Sequence, residues 1–222
     1  MEGGLSTAVE DYAKAIYALQ RRSGSGAVAT NDLAARLRVT AASASSMVKK
    51  LADLGLVEHA PYRGVRLTDR GERVALEVLR HHRLLELYLA EHLDVPWDRV
   101  HEEAEALEHV LSADLEARIA AKLGHPTHDP HGDPIPSVEL EIDEGDTRPL
   151  ESLSVGERAV FVRVSDSDPE MLRYLEQRGI RLGDRFELVD RQPFDGPLTL
   201  RFDGGDEVIG GTLARSMRVE AG

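Results

Sequence analysis

The chain has 222 residues, no cysteine and a formal net charge of −13. Without cysteine there are no disulfides, thiolate metal sites or cysteine nucleophiles, so His, Asp and Glu are the only metal-binding vocabulary. No apolar run approaches the roughly 18 residues of a membrane span, and no basic-then-apolar leader opens the sequence, so a soluble cytoplasmic protein with no membrane partner is expected. The acidity is uneven. Residues 1–75 hold 11 Lys/Arg against 8 Asp/Glu, while the remainder holds 16 against 32. Only the N-terminal third suits a polyanion, and only the rest could concentrate cations. Eight of the nine histidines lie in 81–131.

Thr7 to Glu10 reads as a capping box that opens a helix and occupies the Glu10 carboxylate. Tyr12, Ala15, Ile16 and Leu19 then form an apolar face, and Gly24-Ser25-Gly26 stops the helix. Asp11 falls on a different face. A short helix over about 31–37 is followed by a turn, and Thr40 caps a second helix running to about Leu54. That is helix-turn-helix spacing. The second helix opens on Ala41, Ala42, Ser43, Ala44, Ser45 and Ser46, small and hydroxylated residues that permit close approach to a groove. Lys49 and Lys50 follow one turn later, placed for phosphates. The stretch 57–68 reads as a hairpin with Tyr62 and Arg63 at its tip, a wing that would turn Arg63 and Arg66 to a DNA backbone.

Thr68 and Asp69 open a long helix to about Glu91. Its Val74, Leu76, Val78, Leu79, Leu84, Leu85, Leu87 and Leu89, with Val110, Leu111, Leu115 and Ile119 beyond, exceed what one small core needs and suggest a homodimer. On this helix His82 and Glu86 stand at i and i+4. After Pro96-Trp97-Asp98, a further helix is expected to run unbroken to near Gly124. Along it His101, Glu105, Glu108 and His109 share one face. Imidazoles and carboxylates converging in this way call for a cation between them. Residues 125–149 are rich in proline and turn pairs and read as an ordered loop and acidic linker. Beyond 150 come short strands at 159–164, 184–190, 198–202 and 207–209, interrupted by a helix with Asp168 as cap and Pro169 at its first position. A small β-barrel fits this pattern.

Taken together, Glu10-Asp11-Tyr12, Met47-Val48-Lys49-Lys50-Leu51, Tyr62-Arg63-Gly64, His82-Arg83-Leu84 with Glu86, Pro96-Trp97 with His101, Glu108-His109-Val110 and Asp133-Pro134-Ile135-Pro136 resemble the diphtheria toxin repressor family. The resemblance implies a mainly α N-terminal winged helix-turn-helix over 1–75, a helical dimerisation and metal-binding domain over 76–142, and a small SH3-like (FeoA-like) β-barrel over 150–222. It also implies a metal-dependent repressor that binds palindromic double-stranded DNA operators as a homodimer. Carried over residue by residue, the regulatory metal site is Asp11, Glu105, Glu108 and His109. The ancillary site is His82, Glu86 and His101, with Asp166, Asp168 and Glu170 as nearby oxygen donors. The DNA-facing residues are Thr40, Ala42, Ser43, Ser45, Ser46, Lys49, Lys50 and Arg63. Carboxylates at 11 and 105 match the family's manganese branch, so Mn2+ is the expected cofactor, with Fe2+ as the alternative. Lys14 stands where some manganese-branch members have a second carboxylate, which argues for separate sites over a coupled two-metal centre. Without metal, the carboxylates are expected to repel one another and loosen the reading head.

Other readings remain at this point. A metallohydrolase would need a motif such as His-Glu-x-x-His, a nucleophile elbow or a P-loop, and the sequence has none of these. A winged-helix regulator of an organic ligand would bind DNA regardless of metal.

Overall fold

A computed structural model of the protein describes residues 5–23, 26–60 and 64–222. The wing tip Tyr62-Arg63 and the Gly24-Ser25 helix stop lie outside the described residues. The chain divides into two compact units. One comprises residues up to His82 together with 106–116 and 136–141; the other comprises 83–105, 117–135 and 142–222.

In the first unit, α1 (Thr7–Ser23), α2 (Thr30–Arg36) and α3 (Ala41–Asp53) precede an antiparallel hairpin of β1 (Val57–Ala60) and β2 (Gly64–Leu67). The expected capping box is not what opens α1. Ser6 supplies the carbonyl that Val9 and Glu10 N–H groups bond, and the Glu10 carboxylate is engaged elsewhere. Thr40 does cap α3, its hydroxyl accepting from the Ser43 amide at 3.1 Å. Val9, Tyr12, Ile16, Leu33, Ala44, Val48, Leu51 and Val65 form one buried core, which makes α1 and α3 parts of a single packed body.

The long helix α4 (Asp69–Leu93) begins where Thr68 caps it, its hydroxyl accepting from the Gly71 amide. Ala75 and Leu76 of α4 pack on Ala13 and Tyr17 of α1, so α1 is covered on two sides. Leu76, Val78, Leu84, Leu85 and Leu89 are buried within the chain itself. Most of the apolar surplus expected on this helix for a dimer is therefore consumed internally. Among the described residues of the first unit, the large apolar side chains left open are Val39, Leu107, Val110, Leu115 and Val138.

The helix expected from 101 to 124 is two helices, α5 (Val100–Leu107) and α6 (Ala113–Lys122). Glu108, His109 and Val110 form a turn, and Ser112 starts α6 by accepting from the Leu115 amide. No Gly or Pro marks this break, and the stop was not anticipated. Ser112 prefers the cap because its hydroxyl satisfies an amide that the helix start leaves unbonded.

The second unit is built on six antiparallel strands: β3 (Arg148–Pro149), β4 (Arg158–Val164), β5 (Arg185–Arg191), β6 (Leu198–Phe202), β7 (Gly205–Ile209) and β8 (Met217–Ala221). Their order is β3-β8-β4-β5-β6-β7. This is the SH3-like pattern, but the sheet stays open among the described residues, since no pairing joins β3 to β7. α7 (Pro169–Gln177), capped by Asp168 as expected, and α8 (Gly211–Ser216) pack on it around Phe161, Leu172, Leu175, Leu188, Leu200 and Met217.

Close approach explains one glycine. A Cβ on Gly71 would lie 1.9 Å from the Leu56 carbonyl oxygen, a backbone atom that cannot swing aside. Gly71→Ala should destabilise the protein by about 1–3 kcal/mol, as overpacking does, seen as a lowered midpoint in urea unfolding.

Candidate metal centres

Buried polar groups point to where function sits, because burial without a partner is costly. Among the described residues the buried polar or charged side chains are Arg80, His82, Glu86, Glu108, Asp129 and His131. All but Arg80 belong to two clusters.

The first cluster lies in the first unit. α1 presents Glu10, Asp11 and Lys14 within one turn, toward the turn that carries Glu108 and His109. His109 Nε2 is 2.8 Å from Asp11 Oδ1 and 3.3 Å from Glu108 Oε1. Its Nδ1 is 2.6 Å from Glu10 Oε2. A carboxylate that accepts from one ring nitrogen fixes the ring and leaves the other nitrogen to bind a metal, which is how ligating histidines are usually held. Glu108 is 1% exposed. Its Oε1 meets Lys14 Nζ at 2.5 Å, and its Oε2 meets His82 Nδ1 at 2.5 Å. Burial works to raise the Glu108 pKa, but His82 and Lys14 outweigh it and hold the carboxyl below its ordinary range. The Glu108 backbone carbonyl faces His81 Nδ1 at 3.1 Å, and Glu116 on α6 is held by Arg80 and His81. Asp11, Glu108 and His109 place one ligand atom each within 4.8 Å of one another. The carboxylates here are thus faced by Lys14 and two imidazoles, so the unrelieved repulsion expected without metal is not present.

The helix break changes the role of Glu105. It was expected beside Glu108 and His109, yet it lies at the end of α5 in the second unit, 55% exposed, with its Oε1 3.6 Å from His101 Nε2. His82, expected with Glu86 and His101, stands one turn before Glu86 on α4 and also contacts Glu108 as described.

The second cluster lies in the second unit. His101 Nδ1 is 2.8 Å from Asp166 Oδ2 and 3.2 Å from Glu86 Oε1. His131 Nδ1 is 3.9 Å from the same Glu86 oxygen. Asp166 follows β4, so the SH3-like part does supply an oxygen donor, whereas Asp168 is committed to capping α7 through the Glu170 amide. Glu86, Asp129 and His131 place ligand atoms within 4.8 Å of one another, all buried. His131 is fully buried and stacked on Trp97, and its Nε2 lies 2.7 Å from the Trp97 carbonyl. Its Nδ1 has no hydrogen-bond partner among the described residues. A buried nitrogen of this kind, with the opposite nitrogen fixed, fits a metal ligand.

Sequence reasoning missed Asp129, His131 and Glu10. The available signal was His128-Asp129-Pro130-His131-Gly132-Asp133, a turn dense in donors. The turn closes with Asp129 Oδ1 accepting from the His131 and Asp133 amides at 2.8 and 2.9 Å. Gly132 has φ +83 and sits where a Cβ would be 2.0 Å from the Val162 carbonyl oxygen. Val164 N–H bonds the His131 carbonyl at 3.0 Å, tying the turn to the strand that precedes Asp166. Burial, with Asp133 and Glu86 nearby, pushes the Asp129 carboxyl well above its ordinary range.

Of the DNA-facing candidates, Thr40, Ala42, Ser43, Ser45, Ser46, Lys49 and Lys50 are all exposed on one run of α3, as is Arg66 on β2. Thr40 and Ser43 hydroxyls share a 2.9 Å hydrogen bond, and Ser45 donates to the Ala41 carbonyl.

Burial lowers the affinity of His101 for a proton, but its bonds to Asp166 and Glu86 overcome this and push the pKa up to about 10. The folded value lies above the unfolded 6.5, so this pairing stabilises the fold fully below about pH 6.5 and is lost as pH rises toward about 10. Asp166→Asn should move the His101 titration down toward its ordinary value, read by NMR of the histidine rings in metal-free protein. A metal taking His101 as ligand must expel that proton, so uptake at this cluster should release protons and weaken as pH falls.

The chain is similar to known proteins over nearly its whole length. The family described as "Iron dependent repressor, N-terminal DNA binding domain" matches residues 4–65, "Iron dependent repressor, metal binding and dimerisation domain" matches 68–137, and "FeoA domain" matches 148–221. The diphtheria toxin repressor of Corynebacterium diphtheriae is 30% identical over 95% of this chain and 96% of its own. The iron-dependent repressor IdeR of Mycobacterium tuberculosis is 32% identical over 95% and 96%. A solved manganese-dependent transcriptional repressor in complex with manganese is 40% identical, covers 96% of this chain and 99% of its own, and superposes with a TM-score of 0.88.

Proposed function

The chain belongs to the diphtheria toxin repressor family of metal-dependent DNA-binding transcriptional repressors, and we propose that Mn2+ is the ion that licenses its grip on DNA. This family consists of regulators, not enzymes, and among the described residues no helix is long and apolar enough to cross a membrane. The observation that carries the proposal is the convergence of Asp11 on α1 with Glu108 and His109. We assign these three as the regulatory site, and Glu86, His101, Asp129, His131 and Asp166 as the ancillary site.

The donor chemistry favours manganese. Both clusters offer only carboxylate oxygen and imidazole nitrogen, a set that suits Mn2+ better than a soft site would. The 40% identical solved repressor is manganese-dependent. Fe2+ is the second reading, favoured by the iron-dependent repressor IdeR at 32% identity.

A bound ion supplies a positive centre that the carboxylates of α1 and of the 108–109 turn can share. The protein's own residues do the rest. Glu10 orients His109, and His82 orients Glu108. Val9, Tyr12 and Ile16 carry the position of α1 into the core that holds Val48 and Leu51 of α3, so fixing Asp11 fixes the recognition helix. Coupling of this kind is typically worth about 1–3 kcal/mol. Exposed Leu107, Val110 and Leu115 offer an apolar face to a second copy, and two α3 helices would then read a palindrome in the cytoplasm.

Asp11→Ala should lose metal-dependent operator affinity by about tenfold to a hundredfold while keeping its fold, measured by fluorescence anisotropy with Mn2+ and, anaerobically, with Fe2+. Binding by the parent protein that persists unchanged in chelator would overturn metal control. Tighter coupling to Fe2+ than to Mn2+ would favour the second reading.

A further inference from the structure

We propose that Lys14 is a tethered cation that competes with the activating ion for Glu108 and so sets the metal concentration at which the regulatory site fills. This rests on the assignment of Asp11, Glu108 and His109 as that site. It goes beyond the assignment by adding a residue that binds no metal and yet determines affinity.

The argument turns on which Glu108 oxygen is available. Both are already engaged, Oε2 by His82 and Oε1 by Lys14, each at 2.5 Å. Oε1 is the oxygen on the His109 side, 3.3 Å from Nε2, and that same nitrogen is 2.8 Å from Asp11. The oxygen that faces the other two donors is therefore the one Lys14 holds. His82 grips the opposite oxygen and can remain there as an orienting group. An ammonium has three donors and no acceptor. It cannot act as a ligand while charged, and it repels a divalent cation that approaches the same oxygen.

Burial makes this competition strong. Lys14 is 17% exposed and Glu108 1%, so solvent screens the pair weakly and the bond is of the charge-assisted kind. Lys14 stands on α1, three residues after Asp11. It therefore already ties α1 to Glu108 before any metal arrives, through an oxygen the metal would need. Metal binding exchanges one cross-link for another, and the difference between them is what the regulator reads. The exchange opposes any divalent ion alike, so Lys14 sets threshold and leaves selectivity to the donor set.

The test uses full-length protein and Mn2+ alone, following free Mn2+ by electron paramagnetic resonance, with circular dichroism melting to confirm folding. The ion lost in Asp11→Ala defines the regulatory site. Lys14→Gln, which keeps a hydrogen-bond donor without charge, should bind that ion roughly tenfold or more tightly than wild type, a shift of the order set by one charge-assisted bond. Lys14→Met should do the same, and Lys14→Arg should stay near wild type. A folded Lys14→Gln with unchanged or weaker affinity would overturn the proposal while leaving the site intact. If Asp11→Ala lost no Mn2+, the site assignment itself would fall, and this proposal with it.

Discussion

A carboxylate 1% exposed cannot stand alone, and Glu108 is the group around which the first unit is organised. Isolated burial of its charge would be costly enough to force a proton onto it. Instead His82, from α4, and Lys14, from α1, meet its two oxygens at 2.5 Å. The consequence reaches beyond electrostatics. Each partner comes from a different helix, so one buried charge specifies how α1, α4 and the 108–110 turn meet. The apolar contacts of Ala13 and Tyr17 with Ala75 and Leu76 could tolerate sliding, whereas two short charge-assisted bonds to one carboxylate could not.

Both clusters use the same device on histidine. In the first, His109 has Nδ1 committed to Glu10, and Nε2 looks toward Asp11 and Glu108. In the second, His131 has Nε2 committed to the Trp97 carbonyl, and Nδ1 looks toward Glu86. Fixing one nitrogen decides the tautomer and aims the other lone pair. The supports differ, since a flexible carboxylate holds His109 and a backbone carbonyl with a stacked indole holds His131. His131 is thus held at one ring nitrogen and one ring face, in a turn whose glycine admits no side chain.

Much of this was legible in the sequence, because the features concerned are local. The cap at Thr40, the small hydroxylated opening of α3, the hairpin, and Asp168-Pro169 before α7 each act within a few residues, and each stands where it was read. Asp11, Glu108 and His109 were found through resemblance and through a one-face argument that was partly mistaken. That argument assumed one helix from 101 to 124. The Ser112 cap divides it, keeps Glu108 and His109 together on a turn, and leaves Glu105 to pair with His101. Glu10 was misassigned because a capping box and a salt partner look identical in one dimension. Asp129 and His131 were visible only as a loop rich in donors, since nothing local says that a turn will be buried. What buries it is Gly132 against Val162 and His131 against Trp97, contacts between distant segments.

The same reasoning explains why charge along the chain was a poor guide to the site. A strongly acidic C-terminal two thirds suggests carboxylates waiting for cations. The buried ones already have partners: Glu108 has Lys14 and His82, Glu86 has His101 at one oxygen, and Asp129 has two backbone amides with Arg83 Nε 3.6 Å from its other oxygen, while the half-buried Asp166 also has His101. A metal sensor assembled this way begins from a satisfied state, and the incoming ion must better an existing partner. Satisfied starting contacts make a sensor stable without its ligand and unresponsive to trace amounts of it. A site of bare carboxylates would be neither: it would fill at the lowest metal concentrations and strain the fold when empty. The internal partners are thus what allows a fold built on buried charge to be both stable and responsive over a useful range of metal.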